Sequence, residues 1–230
     1  MPTLRSVLLS HADPVRAAGC ARFFKTGKGE YAEGDKFLGL TVPFVRSLLR
    51  DHAAMPLREI ERLLHDVWHE CRLAALLLLV RRYAKGSDDD RAAVMAIYLR
   101  STPCINNWDL VDASARDIVG EHARRHGLDI LEKFAASANL WENRIAMVAT
   151  HAFIRARDTA PTWQFAKRFL RHEHDLMHKA CGWMLREAGK VDPQGLRTFL
   201  DRHAAGMPRT MLRYAIERFA QAERKAYLRR

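Results

Sequence analysis

The chain has 230 residues, enough to bury a sizeable core without disulfide or metal staples. Its 38 Lys and Arg against 27 Asp and Glu give a net charge of +11, which points to a polyanionic partner. The apolar run 74–80 is too short to cross a bilayer and lies between Arg72 and Arg81, and the N-terminus lacks a signal-peptide core, so the expected setting is cytoplasmic and the expected polyanion is nucleic acid.

In chain order, helical periodicity runs through almost every segment and alternating β-branched runs are scarce. Asp13-Pro14, Thr102-Pro103 and Asp192-Pro193 each offer a capping residue followed by proline at the first helical position. The segment TGKGEYAEGDKFLG (26–39) is expected to form an ordered loop between N-terminal helices, with Lys25, Lys28 and Lys36 as candidate phosphate contacts. Connections at KGSDDD (85–90), Gly127 and Gly206 are short, and no linker or low-complexity tail is evident, so 1–230 is expected to form one domain. The expected class is all-α. Cys20, Cys71, Cys104 and Cys181 are widely spaced with no CxxC and are expected to be reduced and structural.

Self-comparison aligns ECRLAALLLLV (70–80), ENRIAMVATHAF (142–153) and MHKACGWMLRE (177–187) as one helix type. The aligned row holds Arg72, Trp108, Arg144, Lys179 and Arg213, at spacings of 36, 36, 35 and 34 residues. Such a period fits stacked helical hairpins, in which equivalent residues of successive repeats lie side by side. One turn later the register gives Leu76, Asp112, Val148 and Trp183. The cations flanking Trp108 in this row argue that its face is exposed rather than core.

Trp108 and Asp112 sit four apart, on one helix face, in NNWDLVDASAR (106–116). A carboxylate weakens phosphate binding, so beside an indole on a basic protein it reads as a site for positive charge on a nucleotide. The histidine pairs His65/His69, His122/His126 and His174/His178 read as surface or capping residues. HEHDLMH (172–178) lacks the HExxH spacing because Leu176 holds the second ligand position, and TGKGE (26–30) is no P-loop.

These strings, taken together, resemble the AlkD-like DNA glycosylases, a HEAT-repeat family that excises N3- and N7-alkylated purines. The resemblance rests on FLGLTVPFVR (37–46), the W-x-x-x-D of Trp108 and Asp112, LWENRIA (140–146), KACGWMLREAGK (179–190) and MPRTMLRYAIE (207–217). It implies a curved solenoid of HEAT-like repeats, with Trp108 and Trp183 as aromatic walls, Asp112 as the catalytic carboxylate and Arg144 as a backbone contact near the lesion. It also implies monofunctional base release from duplex DNA by a monomer, without cofactor or metal. Asn107 departs from members with a second tryptophan there. Arg72, Lys179, Arg213 and Lys28 complete the expected DNA-binding set. Lys179 as a Schiff-base nucleophile is the less economical reading, since a lysine in a row of cations is more simply a phosphate contact. The main alternative is a non-catalytic repeat module that binds branched or damaged DNA.

Overall fold

The computed structural model describes residues 2–229. Among them every regular element is helical, apart from an isolated bridge between Lys36 and Trp68, so the all-α class is as expected. By packing, the chain falls into two compact units, residues 1–114 and 115–230.

The first unit contains α1 (Leu4–Ser10), α2 (Pro14–Phe23), α3 (Val42–Leu48), α4 (Leu57–Leu64), α5 (His69–Lys85), α6 (Asp88–Arg100) and α7 (Trp108–Ser114). Its centre is α5, buried at every position from His69 to Leu79 and packed against α3, α4, α6 and α7. Buried on all sides from His69 to Leu79, this helix forms the core of the unit, which accounts for the run 74–80 without a membrane. Asp13 caps α2 as expected, accepting from the Arg16 amide at 3.0 Å with Pro14 at the first helical position. Thr102-Pro103 behaves differently. It opens only a single 3-10 turn, Thr102–Cys104. The helix expected there starts instead at Trp108, where the Asn107 Oδ1 accepts the Trp108 amide at 2.8 Å and the Asn107 carbonyl accepts from Val111 at 3.2 Å. The KGSDDD connection is shorter than it reads. Ser87 and Asp90 form a capping box, and the three aspartates make the acidic first turn of α6.

The second unit opens on a π-helical turn, Arg116–Gly120, followed by α8 (Glu121–His126), α9 (Asp129–Ala135), α10 (Leu140–Ala149), α11 (His151–Arg155), α12 (Ala160–Arg168), α13 (Asp175–Val191), α14 (Pro193–His203), α15 (Arg209–Ala215) and α16 (Gln221–Leu228). Here α10 is the core helix, buried from Asn143 to Ala149. It packs against α13, which in turn packs against α15. Gly182 explains the closeness of that last pair, since a Cβ there would lie 2.5 Å from both the Met211 carbonyl oxygen and the Tyr214 Cβ. Asp192 caps α14 by accepting from Gly195 at 2.7 Å. Thus the helices carrying the aligned row pack in succession within each unit: α5 on α7 in the first, α10 on α13 on α15 in the second.

No helix is long and apolar enough to cross a membrane among the described residues. The four cysteines are free thiols, and burial pushes the Cys71 thiol up to about 12, so it stays protonated.

Candidate active site

Trp108 opens α7 and Asp112 follows one turn later; both side chains are half-buried. Below them the helix turns Leu110 and Val111 into the core, so the Trp108–Asp112 face is the one left partly open. Asp112 lies near the buried Tyr98, whose phenol meets the Ser114 hydroxyl at 3.1 Å. Burial chiefly, and the Asp112 charge in addition, raise the Tyr98 phenol above its ordinary range, so it is a neutral hydrogen-bonding group.

The indole of Trp108 is held from the N-terminal side. Phe24 stacks on it at 5.2 Å between centroids and 21°, and Phe23 meets it edge-on at 5.9 Å. Phe24 continues the stack onto Phe37 at 4.9 Å, and Phe37 onto the His69 ring at 4.5 Å. Phe23 itself is 66% exposed. The last residues of α2 therefore place an aromatic edge beside Trp108.

Beneath this stack lies a charge cluster that sequence reading missed. His69 is not a surface histidine but 2% exposed, with Nδ1 3.0 Å from Asp35 Oδ2 and Nε2 2.8 Å from Asp109 Oδ2. Asp35 also pairs with Arg72. Burial alone would lower the His69 pKa, but the hydrogen bonds and charges of Asp109 and Asp35 outweigh it and bring the pKa to about 9. Burial opposes ionisation of Asp35 too, yet His69 and Arg72 hold its carboxyl below the usual carboxylate range. The group is thus two anions and two cations, closed on itself. The legible signal was a polar trio, His69, Glu70 and Arg72, directly before the apolar run Leu73–Val80, since buried polar groups require partners.

Arg72 must be corrected on the same ground. It is 6% exposed, and its Nη1 donates to the Asp66 carbonyl at 3.1 Å while Nη2 serves Asp35, so it is a structural cation rather than an exposed phosphate contact. Arg144 is 5% exposed, with Nη1 donating to the Leu176 carbonyl at 2.6 Å. Both stand in the first turns of core helices, so their presence in the row does not make that row a solvent face. Asn107, the departure noted in the sequence, is fully buried at the start of α7.

In the second unit, Lys179 and Trp183 lie one turn apart on α13, both half-buried. Lys179 pairs with Asp175 at 2.9 Å, and this largely exposed pair contributes little to stability. Trp183 meets the His151 ring edge-on at 6.0 Å, and burial together with the Arg116 charge holds His151 below the usual histidine range, leaving a neutral ring there. Arg213 on α15 and Lys28 in the glycine-rich segment are exposed. Of the remaining histidines, His174 does cap α13, accepting from the Leu176 amide at 3.1 Å. No group of three or more His, Cys, Asp or Glu suited to a metal occurs among the described residues.

The all-helical fold is shared with the solved structure of a predicted DNA alkylation repair enzyme from Enterococcus faecalis, with a TM-score of 0.71, 21% identity, and coverage of 92% of this chain and 98% of that one. The family model described as DNA alkylation repair enzyme matches residues 4–219, and the chain belongs to that family. No curated protein matches it. Membership supports a role in DNA alkylation repair.

Proposed function

We propose that the protein is a monofunctional DNA glycosylase that hydrolyses the N-glycosidic bond of N3- and N7-alkylated purines in duplex DNA. The observation that carries this reading is the half-open face of α7, where Asp112 stands one turn from an indole in a chain of net charge +11. An alkylpurine already bears a positive charge, so it leaves without being protonated. What develops instead is an oxocarbenium-like sugar, which Asp112 as a carboxylate stabilises while orienting the attacking water. Trp108 contributes about 0.5–2 kcal/mol by cation–π attraction to that sugar. Lys28 and Arg213, which are exposed, and the half-buried Lys179 are the cations suited to phosphates; Arg144 acts in this reading by bracing the start of α13 through Leu176. The reaction takes place on duplex DNA as the polyanion that the composition calls for.

The test is base release from methylated duplex by the purified protein. Free alkylpurine and an intact strand bearing an abasic site are expected, unaffected by EDTA. Strand cleavage with borohydride trapping would instead indicate a lysine nucleophile, and duplex binding without any release would favour the non-catalytic binding module.

Lys179→Ala should weaken binding to every duplex alike and make the slope of log K against log salt shallower by about 0.9, since a phosphate contact carries affinity but no sequence information. Arg72→Met, whose parent side chain is buried, should leave that slope unchanged in whatever fraction folds. A salt titration that shows the same slope for Lys179→Ala and parent removes Lys179 from the interface.

A further inference from the structure

We propose that His69 is a positioning residue for Trp108: its imidazolium ties the first turn of α7 and the stacked rings behind the indole into one arrangement, and loss of its proton releases them. The inference rests on the glycosylase reading only for its effect on base release; the positioning itself is a property of the first unit.

Both ring nitrogens of His69 face carboxylates, Nδ1 toward Asp35 and Nε2 toward Asp109, and only the doubly protonated ring can donate to both. Two routes lead from this ring to Trp108. One is through the chain, because Asp109 is the residue after Trp108 and its other oxygen, Oδ1, is buried without a hydrogen-bond partner, leaving the bond to His69 as its anchor. The other is through space, along Phe37 and Phe24 to the indole face. A neutral ring can serve one carboxylate and turns a lone pair toward the other. Asp35 keeps Arg72 as a second partner, so the bond given up on deprotonation is the one that anchors Asp109, and the first turn of α7 loosens.

The groups that face His69 are these. Asp35 comes from the glycine-rich segment, Asp109 from α7, and Glu70 and Arg72 from the first turn of α5 itself. From α2, Cys20 stands close enough to feel Glu70 and Asp109, and burial together with those charges pushes its thiol up, so it stays neutral. Glu70 is engaged by the amides of Leu38, Gly39 and Leu40 at 2.8–3.1 Å. Three carboxylates thus stand against Arg72 and His69, and loss of the imidazolium proton would leave Arg72 as their one counter-charge among these groups, which agrees with the His69 pKa near 9.

The Trp108 contribution to fluorescence, taken as the difference between the parent and Trp108→Phe, should titrate with a midpoint near pH 9 while far-UV circular dichroism stays flat. A Trp108 signal constant from about pH 7 to 10, a window bracketing the expected midpoint, overturns the proposal. Asp109→Asn should move the midpoint to lower pH, because an anion beside the imidazolium is gone; an unmoved midpoint overturns it equally. His69→Gln should lose the titration and release base more slowly, on the order of tenfold to a hundredfold, with duplex affinity nearly that of the parent. A folded His69→Gln protein with the parental Trp108 signal overturns the proposal. If His69→Gln does not fold, the parent and Asp109→Asn titrations decide. An intact titration in a protein that releases no base supports the positioning and overturns only the glycosylase reading.

Discussion

Asp112→Asn is expected to release alkylpurine about a thousandfold more slowly than the parent protein in single-turnover measurement, with duplex affinity equal or slightly tighter. The magnitude follows from electrostatics: a carboxylate about 4 Å from a developing cation, at an effective dielectric near 20, contributes about 4 kcal/mol. Asparagine is nearly isosteric, so the loss should fall on the chemical step and not on binding, where removing a negative charge helps the phosphates. An Asp112→Asn protein that excises at the parental rate removes this residue from the mechanism.

The largest effect on stability is expected at Asp35. Asp35→Ala strips both Arg72 and His69 of a buried counter-charge and should cost about 3–5 kcal/mol, read as a fall in the urea midpoint. The same cluster gives stability a pH dependence at both ends. His69 has a folded pKa of about 9 against its ordinary 6.5, so its contribution is complete below about 6.5 and is lost as pH rises through about 9. At about 1.4 kcal/mol per pKa unit this alkaline loss is about 3 kcal/mol. Asp35 has the opposite sense: its lowered pKa gives a contribution present above the ordinary carboxylate range and lost as pH falls through the lowered value. Asp35→Ala should therefore flatten the alkaline decline as well as lower the plateau. A variant as stable as the parent, with the same alkaline profile, would mean that the cluster does not stabilise the first unit.

Local signals were read well from the sequence, and long-range ones were not. The caps at Asp13 and Asp192 and the shared face of Trp108 and Asp112 depend on neighbours within four residues, which spacing alone reveals. Thr102-Pro103 carried the same signature as those caps, but Asn107 supplied a competing helix start five residues on, and the proline was left in an isolated turn. The charge cluster joins residues 34 to 40 positions apart, and nothing local tells His69 that its partners are Asp35 and Asp109. Arg72 and Arg144 failed for a related reason. Whether a helix face meets solvent is decided by what packs on it, and α5 and α10 are buried along His69–Leu79 and Asn143–Ala149. A row of cations is consequently poor evidence of a surface when each can find a buried acceptor.

The clamp of Glu70 on three successive amides bears on motion. A segment with four glycines beside a proposed active site invites description as a lid. Yet swinging 38–40 away from α5 would strand a carboxylate and three amides, and charge-assisted hydrogen bonds contribute about 1.5–3 kcal/mol each. Breaking even two of them leaves the open form at about one molecule in a hundred or fewer. Gly39, at φ +81°, pins the same stretch from the other side, since a Cβ there would lie 2.4 Å from the Asp13 carbonyl oxygen and 2.6 Å from the Ala17 amide nitrogen. The glycines thus serve close contact and not mobility: this part of the segment moves with α5 as a wall already in place.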